Sequence, residues 1–174
     1  MPILFRQLFD RESSTYTYLL ADPRTREALL IDPVREQMER DVALLEELDL
    51  ELMYVLETHV HADHVTSAGI LRQRLGATTV LGSASGSQCA DKLLEDGEVI
   101  TLGDVEIEAR HTPGHTAGCV TYVVEDGEAP MAFTGDTLMI RGCGRTDFQQ
   151  GDSSQLYDSV WEKIFVLPDE AKIY

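Results

Sequence analysis

The sequence predicts an α/β (α+β) protein in which two β-sheets pack face to face with helices outside. Three observations carry this. Short apolar runs divided by turn residues open the chain, amphipathic helical stretches then alternate with further short apolar runs, and loops rich in His and Asp repeatedly follow predicted strands. At 174 residues the chain has the size of one domain, 1–174, with enough length to bury a core without disulfide staples.

Ile3–Phe9, Tyr16–Ala21 and Ala28–Ile31 are rich in aliphatic and aromatic residues, and Asp10-Arg11-Glu12-Ser13-Ser14 and Asp22-Pro23-Arg24-Thr25 separate them as turns, so an antiparallel sheet opens the fold. After Asp32-Pro33, the spacing of Met38, Val42, Leu45 and Leu48 among charged residues predicts an amphipathic helix. Leu52–Leu56 returns as a buried strand and leads directly to His59. Ser67 can cap a helix through Ile70, Leu71 and Leu75 that Gly76 ends, and Thr79–Leu81 reads as the next strand. Gly82–Gln88 is small and polar, hence loop, and Ala90–Leu94 reads as a short helix. Val99–Leu102 and Val105–Ala109 follow as strands, the second with Val105, Ile107 and Ala109 alternating against Glu106, Glu108 and Arg110. Thr112-Pro113-Gly114-His115 turns the chain into a strand from Cys119 to Val124. Glu125-Asp126-Gly127-Glu128 then supplies a hairpin turn into Met131–Thr134. Ser153 can cap a helix with Leu156, Val160 and Ile164 on one face, and Pro168 breaks it before a last strand from Ala171.

Fourteen basic against 31 acidic residues give a net charge of −17, which repels phosphate backbones and anionic lipid headgroups, so neither nucleic acid nor membrane is expected as a partner. An anionic substrate would need a local cluster of arginines. Cys89, Cys119 and Cys143 are odd in number and far apart, which supports neither a disulfide framework nor a thiolate zinc site. No run approaches the ~18 apolar residues of a membrane span and the first ten residues do not read as a leader, so the expected location is the cytoplasm, or the mitochondrial matrix for a eukaryotic enzyme.

All five histidines fall in two windows behind predicted strands: His59, His61 and His64 in Thr58-His59-Val60-His61-Ala62-Asp63-His64, and His111 and His115 around the proline turn. Imidazole and carboxylate together suit Zn, Fe, Mn or Ni. Asp136, after Phe133-Thr134-Gly135, is the natural anionic member, whereas His111 reads as a residue that stabilises its turn. For Asp63, capping a helix or bonding to a ligand competes with ligation.

These stretches, with Thr112-Pro113-Gly114-His115-Thr116 and Thr134-Gly135-Asp136-Thr137, resemble in the same order the ligand motifs of the metallo-β-lactamase superfamily. The resemblance implies an αββα sandwich. The segment from Ile140 to Gly151 refines it: its Gly142-Cys143-Gly144-Arg145 core is similar to both glyoxalase II enzymes and persulfide dioxygenases, and Thr146-Asp147-Phe148-Gln149 to the latter. In that branch one Fe(II) per chain is held by two histidines and an aspartate, which correspond to His59, His115 and Asp136. The implied reaction oxidises glutathione persulfide with O₂ to sulfite and glutathione. Zn²⁺ would fit a similar pocket but lacks redox chemistry. His61, Asp63 and His64 would then bond to ligands or substrate; in a dinuclear hydrolase His61 would join the first metal, and Asp63 and His64 the second.

Arg141 and Arg145 would hold glutathione carboxylates, or equally serve as ion-paired residues of a structural loop. Cys143 reads as a small turn residue and Cys119 as core. Family members continue past the segment matching Lys172-Ile173-Tyr174, so the resemblance implies a domain truncated at the C-terminus, without its usual last strand and helices. A homodimer is one arrangement left open. Two other functions remain: a glyoxalase II-like dinuclear thioesterase, and an inactive metal-binding or sulfur-sensing module.

Overall fold

The computed structural model describes residues 2–125 and 129–174; Asp126-Gly127-Glu128 of the expected hairpin turn lie outside them. Strands β1 (Leu4–Phe9), β2 (Tyr16–Ala21) and β3 (Glu27–Ile31) form the antiparallel opening that their turn residues predict. Helix α1 (Met38–Glu47) then crosses over, and β4 (Glu51–Leu56) returns parallel to β3. Helix α2 (Ala68–Leu75) does the same before β5 (Thr78–Gly82), and β6 (Lys92–Leu94) completes a sheet in the order β1-β2-β3-β4-β5-β6. The second sheet runs β11-β10-β9-β8-β7, built from β7 (Val99–Leu102), β8 (Val105–His111), β9 (Val120–Glu125), β10 (Met131–Phe133) and β11 (Lys172–Ile173).

Burial explains the different patterns of the strands. Ala28, Leu29, Leu30 and Ile31 of β3 are all buried, because a strand covered on both faces needs apolar residues at every position. Leu29 and Ile31 face the second sheet in a core with Leu20, Leu56, Ile107, Tyr122 and Phe133, while Leu30 faces Val42 and Leu45 of α1 and Leu71 of α2. Each fully buried Leu or Ile contributes roughly 1.5–3 kcal/mol. Strand β8 alternates as expected, with Val105, Ile107 and Ala109 buried. Helix α3 (Ser153–Ser159) lies against the proline turn, where the Ser159 hydroxyl donates to the Pro113 carbonyl at 2.7 Å. A Cβ on Gly114 would come within 2.4 Å of Leu156 Cα, so glycine lets the helix seat there.

Three local expectations need correction. The short helix at Ala90–Leu94 is strand β6: five residues cannot sustain an isolated helix, whereas Lys92–Leu94 pairs in register with Val80–Gly82 and buries Leu94. Ser67 does not cap α2 with its side chain; the Thr66 hydroxyl accepts from the Ala68 N–H at 3.1 Å instead. Nor does Ser153 cap α3, because the Asp152 carboxylate accepts from the N–H groups of Ser154 and Gln155 at 2.8 and 3.0 Å.

Two buried polar groups make the fold testable. The Asp41 carboxyl in α1 is fully covered, bonded to Arg40 Nε at 2.8 Å, and burial pushes it up to about 6 despite that cation. A carboxyl raised above its ordinary 3.8 binds its proton more readily in the folded than in the unfolded chain, so its contribution to stability falls as pH rises from about 4 through 6. Asp41→Asn removes that loss. Its melting temperature relative to wild type should be more favourable at pH 7 than at pH 4; a difference independent of pH would refute the assignment. Tyr122, fully buried in β9, donates its hydroxyl to the Glu57 carbonyl at 2.9 Å and ties the second sheet to the loop beyond β4. Tyr122→Phe leaves that carbonyl unpaired, and urea unfolding should register a loss of about 1–2 kcal/mol.

Candidate metal centre

Strands β4, β8 and β10 end on the same side of the sandwich, and the loops that follow them bring His59, His115 and Asp136 together. Their donor atoms all lie within 4.8 Å of one another. His115 Nε2 is 3.3 Å from Asp136 Oδ2, and the rings of His59 and His115 meet nearly at right angles with centroids 4.9 Å apart. Donors at right angles on one ion, with bonds of about 2.1 Å, would be about 3 Å apart, so two imidazoles and a carboxylate at this spacing fit a single divalent metal. His59 and His115 are buried, while the Asp136 side chain is 40% exposed and forms the open side.

Backbone bonds hold the group. The Val120 N–H donates to the Thr58 carbonyl at 2.8 Å and joins the two sheets next to His59. His115 Nδ1 lies 2.8 Å from the Arg145 carbonyl, which can only accept; the proton therefore sits on Nδ1 and the Nε2 lone pair is free beside Asp136. The Gly144 N–H donates to the Asp136 carbonyl at 2.6 Å, and a Cβ at Gly144 would stand 2.7 Å from both that oxygen and His115 Nδ1. Any side chain at 144 would displace two members of the group.

The His61 ring lies beside His59, centroids 4.1 Å apart, but its nitrogens face other carboxylates. Its Nε2 lies 3.1 Å from Asp32 Oδ1 and 3.2 Å from Glu57 Oε2, and its Nδ1 is 3.9 Å from Asp63 Oδ1. Glu57 also takes a hydrogen bond from the Thr66 hydroxyl. His61, Asp63 and His64 form a second group with donors within 4.8 Å, in which His64 Nδ1 is 3.1 Å from Asp63 Oδ2 and His64 Nε2 is buried with no hydrogen-bond partner among the described residues. Asp63 does not cap α2, which begins five residues later; the Thr15 hydroxyl reaches it at 3.3 Å. His111 lies apart, its Nε2 on the Ala117 carbonyl at 2.8 Å.

Sequence reasoning missed Asp32 and Glu57, whose carboxylates meet at His61. Both directly follow apolar strands, and that position was the available signal. Burial by itself would raise the Asp32 carboxyl, yet the facing His61 imidazolium outweighs it and holds Asp32 at about 2. Burial pushes Glu57 up to about 7, and the two carboxylates raise His61 well above its ordinary range against the effect of burial. Burial, followed by the charge of His61, pushes His59 down to about 3, so that ring is neutral as a metal ligand must be. Burial likewise raises the Asp136 carboxyl, which a bound cation would reverse.

The loop from Met139 to Gly151 covers this end. Arg145 is exposed and doubly bonded to Asp147 at 2.8 and 3.0 Å, with its guanidinium 5.7 Å from the Phe148 ring centroid. Arg141 is exposed with φ +65°, and no ion pair to it is found among the described residues. Ile140 and Phe148 project their apolar side chains into solvent beside these two cations. Cys143 is exposed and Cys119 buried, neither in a disulfide.

The profile of the metallo-β-lactamase superfamily matches residues 10–173. The mitochondrial persulfide dioxygenase ETHE1 of Bos taurus is 55% identical over 174 residues, spanning 99% of this chain and 67% of its own length. The crystal structure of ETHE1 from Myxococcus xanthus superposes with a TM-score of 0.93 at 51% identity, covering 98% of this chain and 74% of that one. The cytoplasmic hydroxyacylglutathione hydrolase of Arabidopsis thaliana is more distant, 36% identical over 91% of this chain and 62% of its own. With two sheets, outer helices and the ligand loops all at one end, the chain belongs to the metallo-β-lactamase superfamily and, within it, to the persulfide dioxygenase branch.

Proposed function

We propose that this chain is an Fe(II)-dependent persulfide dioxygenase that oxidises glutathione persulfide with O₂ to sulfite and glutathione. The observation that carries the proposal is the trio His59, His115 and Asp136, whose donor atoms lie within 4.8 Å of one another, on a chain 55% identical to a persulfide dioxygenase. Iron(II) held by these two imidazoles and one carboxylate would supply the redox chemistry that zinc lacks.

The chain's own residues then have separate tasks. The Arg145 carbonyl keeps His115 turned with Nε2 inward, and the Gly144 backbone holds Asp136. His61, held by Asp32 and Glu57, places a cation beside the site that would favour an anionic persulfide. Arg141 and Arg145 offer guanidinium groups for the glutathione carboxylates; Arg145 would have to exchange its exposed bond to Asp147, which costs little at such exposure. Ile140 and Phe148 offer apolar surface to the rest of the thiol substrate. The acidic surface, net −17, leaves nucleic acid and anionic membranes outside the proposal, and no helix among the described residues is long and apolar enough to cross a membrane. We propose a cytoplasmic location, or the mitochondrial matrix for a eukaryotic enzyme, the latter in line with the mitochondrial relatives.

A glyoxalase II-like dinuclear thioesterase is the second reading, and one observation favours it: in the group His61, Asp63 and His64, His64 Nε2 is buried with no hydrogen-bond partner among the described residues. Metal analysis separates the two. His59→Ala, His115→Ala and Asp136→Ala should each abolish metal retention, while His61→Ala keeps metal; equal loss in all four contradicts the mononuclear reading. Oxygen uptake with glutathione persulfide supports the dioxygenase, whereas thioester cleavage under nitrogen with two metals per chain overturns it. Arg145→Ala should raise KM for glutathione persulfide several-fold, consistent with about 1 kcal/mol for an exposed charge-assisted contact, with kcat little changed. An unchanged KM removes Arg145 from substrate binding.

A further inference from the structure

We propose that the Thr58 hydroxyl is a positioning group for the metal centre, which with Asp32 locks His59 in the tautomer whose Nε2 lone pair is available to the metal. This rests on the metal-centre reading above and adds to it the residue that prepares the ligand.

Thr58 is buried at 2% exposure, and each of its polar atoms has a partner. Its N–H donates to Asp32 Oδ1 at 2.7 Å, its carbonyl accepts from the Val120 N–H at 2.8 Å, and its hydroxyl lies 2.7 Å from Asp32 Oδ2 and 3.0 Å from His59 Nδ1. A hydroxyl has one proton, and an ionised carboxylate can only accept. The Thr58 proton therefore goes to Asp32, and the same oxygen accepts from His59 Nδ1–H. The chain of bonds runs from imidazole to hydroxyl to carboxylate. It leaves one unprotonated nitrogen on His59, namely Nε2.

The same side chain packs against the residue before Asp136. Gly135, with φ +50°, passes so close to Thr58 that a Cβ there would stand 2.5 Å from Thr58 Oγ1. One residue thus bonds to the His59 ring and limits position 135, next to Asp136, to glycine. His115 obtains the same tautomer from the Arg145 carbonyl, a backbone group that no substitution of a side chain removes. Thr58 is the side chain through which this control can be tested.

Thr58→Val keeps the shape and removes the hydroxyl, and Thr58→Ser keeps the hydroxyl. Fe(II) affinity, measured under nitrogen by competition with a chelator, should fall about 10–100-fold in Thr58→Val and return with Thr58→Ser. Long-range proton–nitrogen NMR of the metal-free wild-type chain should show His59 protonated on Nδ1 and bare at Nε2. Wild-type affinity in Thr58→Val, no recovery in Thr58→Ser, or a His59 proton on Nε2 would each overturn the proposal. If Thr58→Val does not fold, Thr58→Ser and the wild-type spectrum still decide. His59→Ala serves as the separate control. If it too binds Fe(II) as wild type does, the metal-centre reading fails; if it loses the metal while Thr58→Val keeps it, the role of Thr58 alone fails.

Discussion

The buried carboxylate of Asp32 is the constraint around which the site is built. It sits at the end of β3 in a left-handed conformation, φ +50°, with its N–H on the Leu56 carbonyl and its own carbonyl accepting from the Thr17 hydroxyl. Its two oxygens accept from the Thr58 N–H, the Thr58 hydroxyl and His61. An ionised carboxylate without water costs several kcal/mol, and these bonds offset that cost only while β2, β3 and the loop after β4 keep their relative places. The carboxylate therefore demands the arrangement that also orients His59 and His61.

Precision at the metal centre comes from strands and irregularity from loops. The three ligand candidates lie just past β4, β8 and β10, whose register is set by packed cores of Leu, Ile, Val and Phe. Two bonds then stitch the sheets beside them, from Val120 to Thr58 and from Tyr122 to Glu57. Glycine acts where there is no room for anything larger: Gly135 against Thr58, and Gly144 against His115 and Asp136. The centre is crowded by backbone on its inner side and open at the half-exposed Asp136.

Charge divides the residues of the site by task. Burial pushes His59 down to about 3, whereas two buried carboxylates raise His61, two residues on, well above its ordinary range. Neighbouring histidines of one short motif are thus shifted in opposite directions. A neutral ring can bind metal; a protonated one can bond to acceptors and attract anions but has no lone pair to donate.

The sequence by itself determined the strand-rich opening, the crossover helix at Met38–Glu47 and the selection of His59, His115 and Asp136 as strand-end candidates. Periodicity and residue chemistry are local properties, and those features are local. It misassigned β6, because three residues carry too little pattern to reveal a strand whose existence depends on pairing with Val80–Gly82. It passed over Asp32 and Glu57, since their place directly after apolar strands is a weak signal among 31 acidic residues and does not show that both carboxylates meet at one imidazole. It left His61 divided between metal ligand and bonding partner. Only tertiary structure brings these groups together: parallel pairing of β3 with β4 sets Asp32 and Glu57 at adjacent strand ends, and the direction of the His61 imidazole depends on which carboxylates the fold places against it.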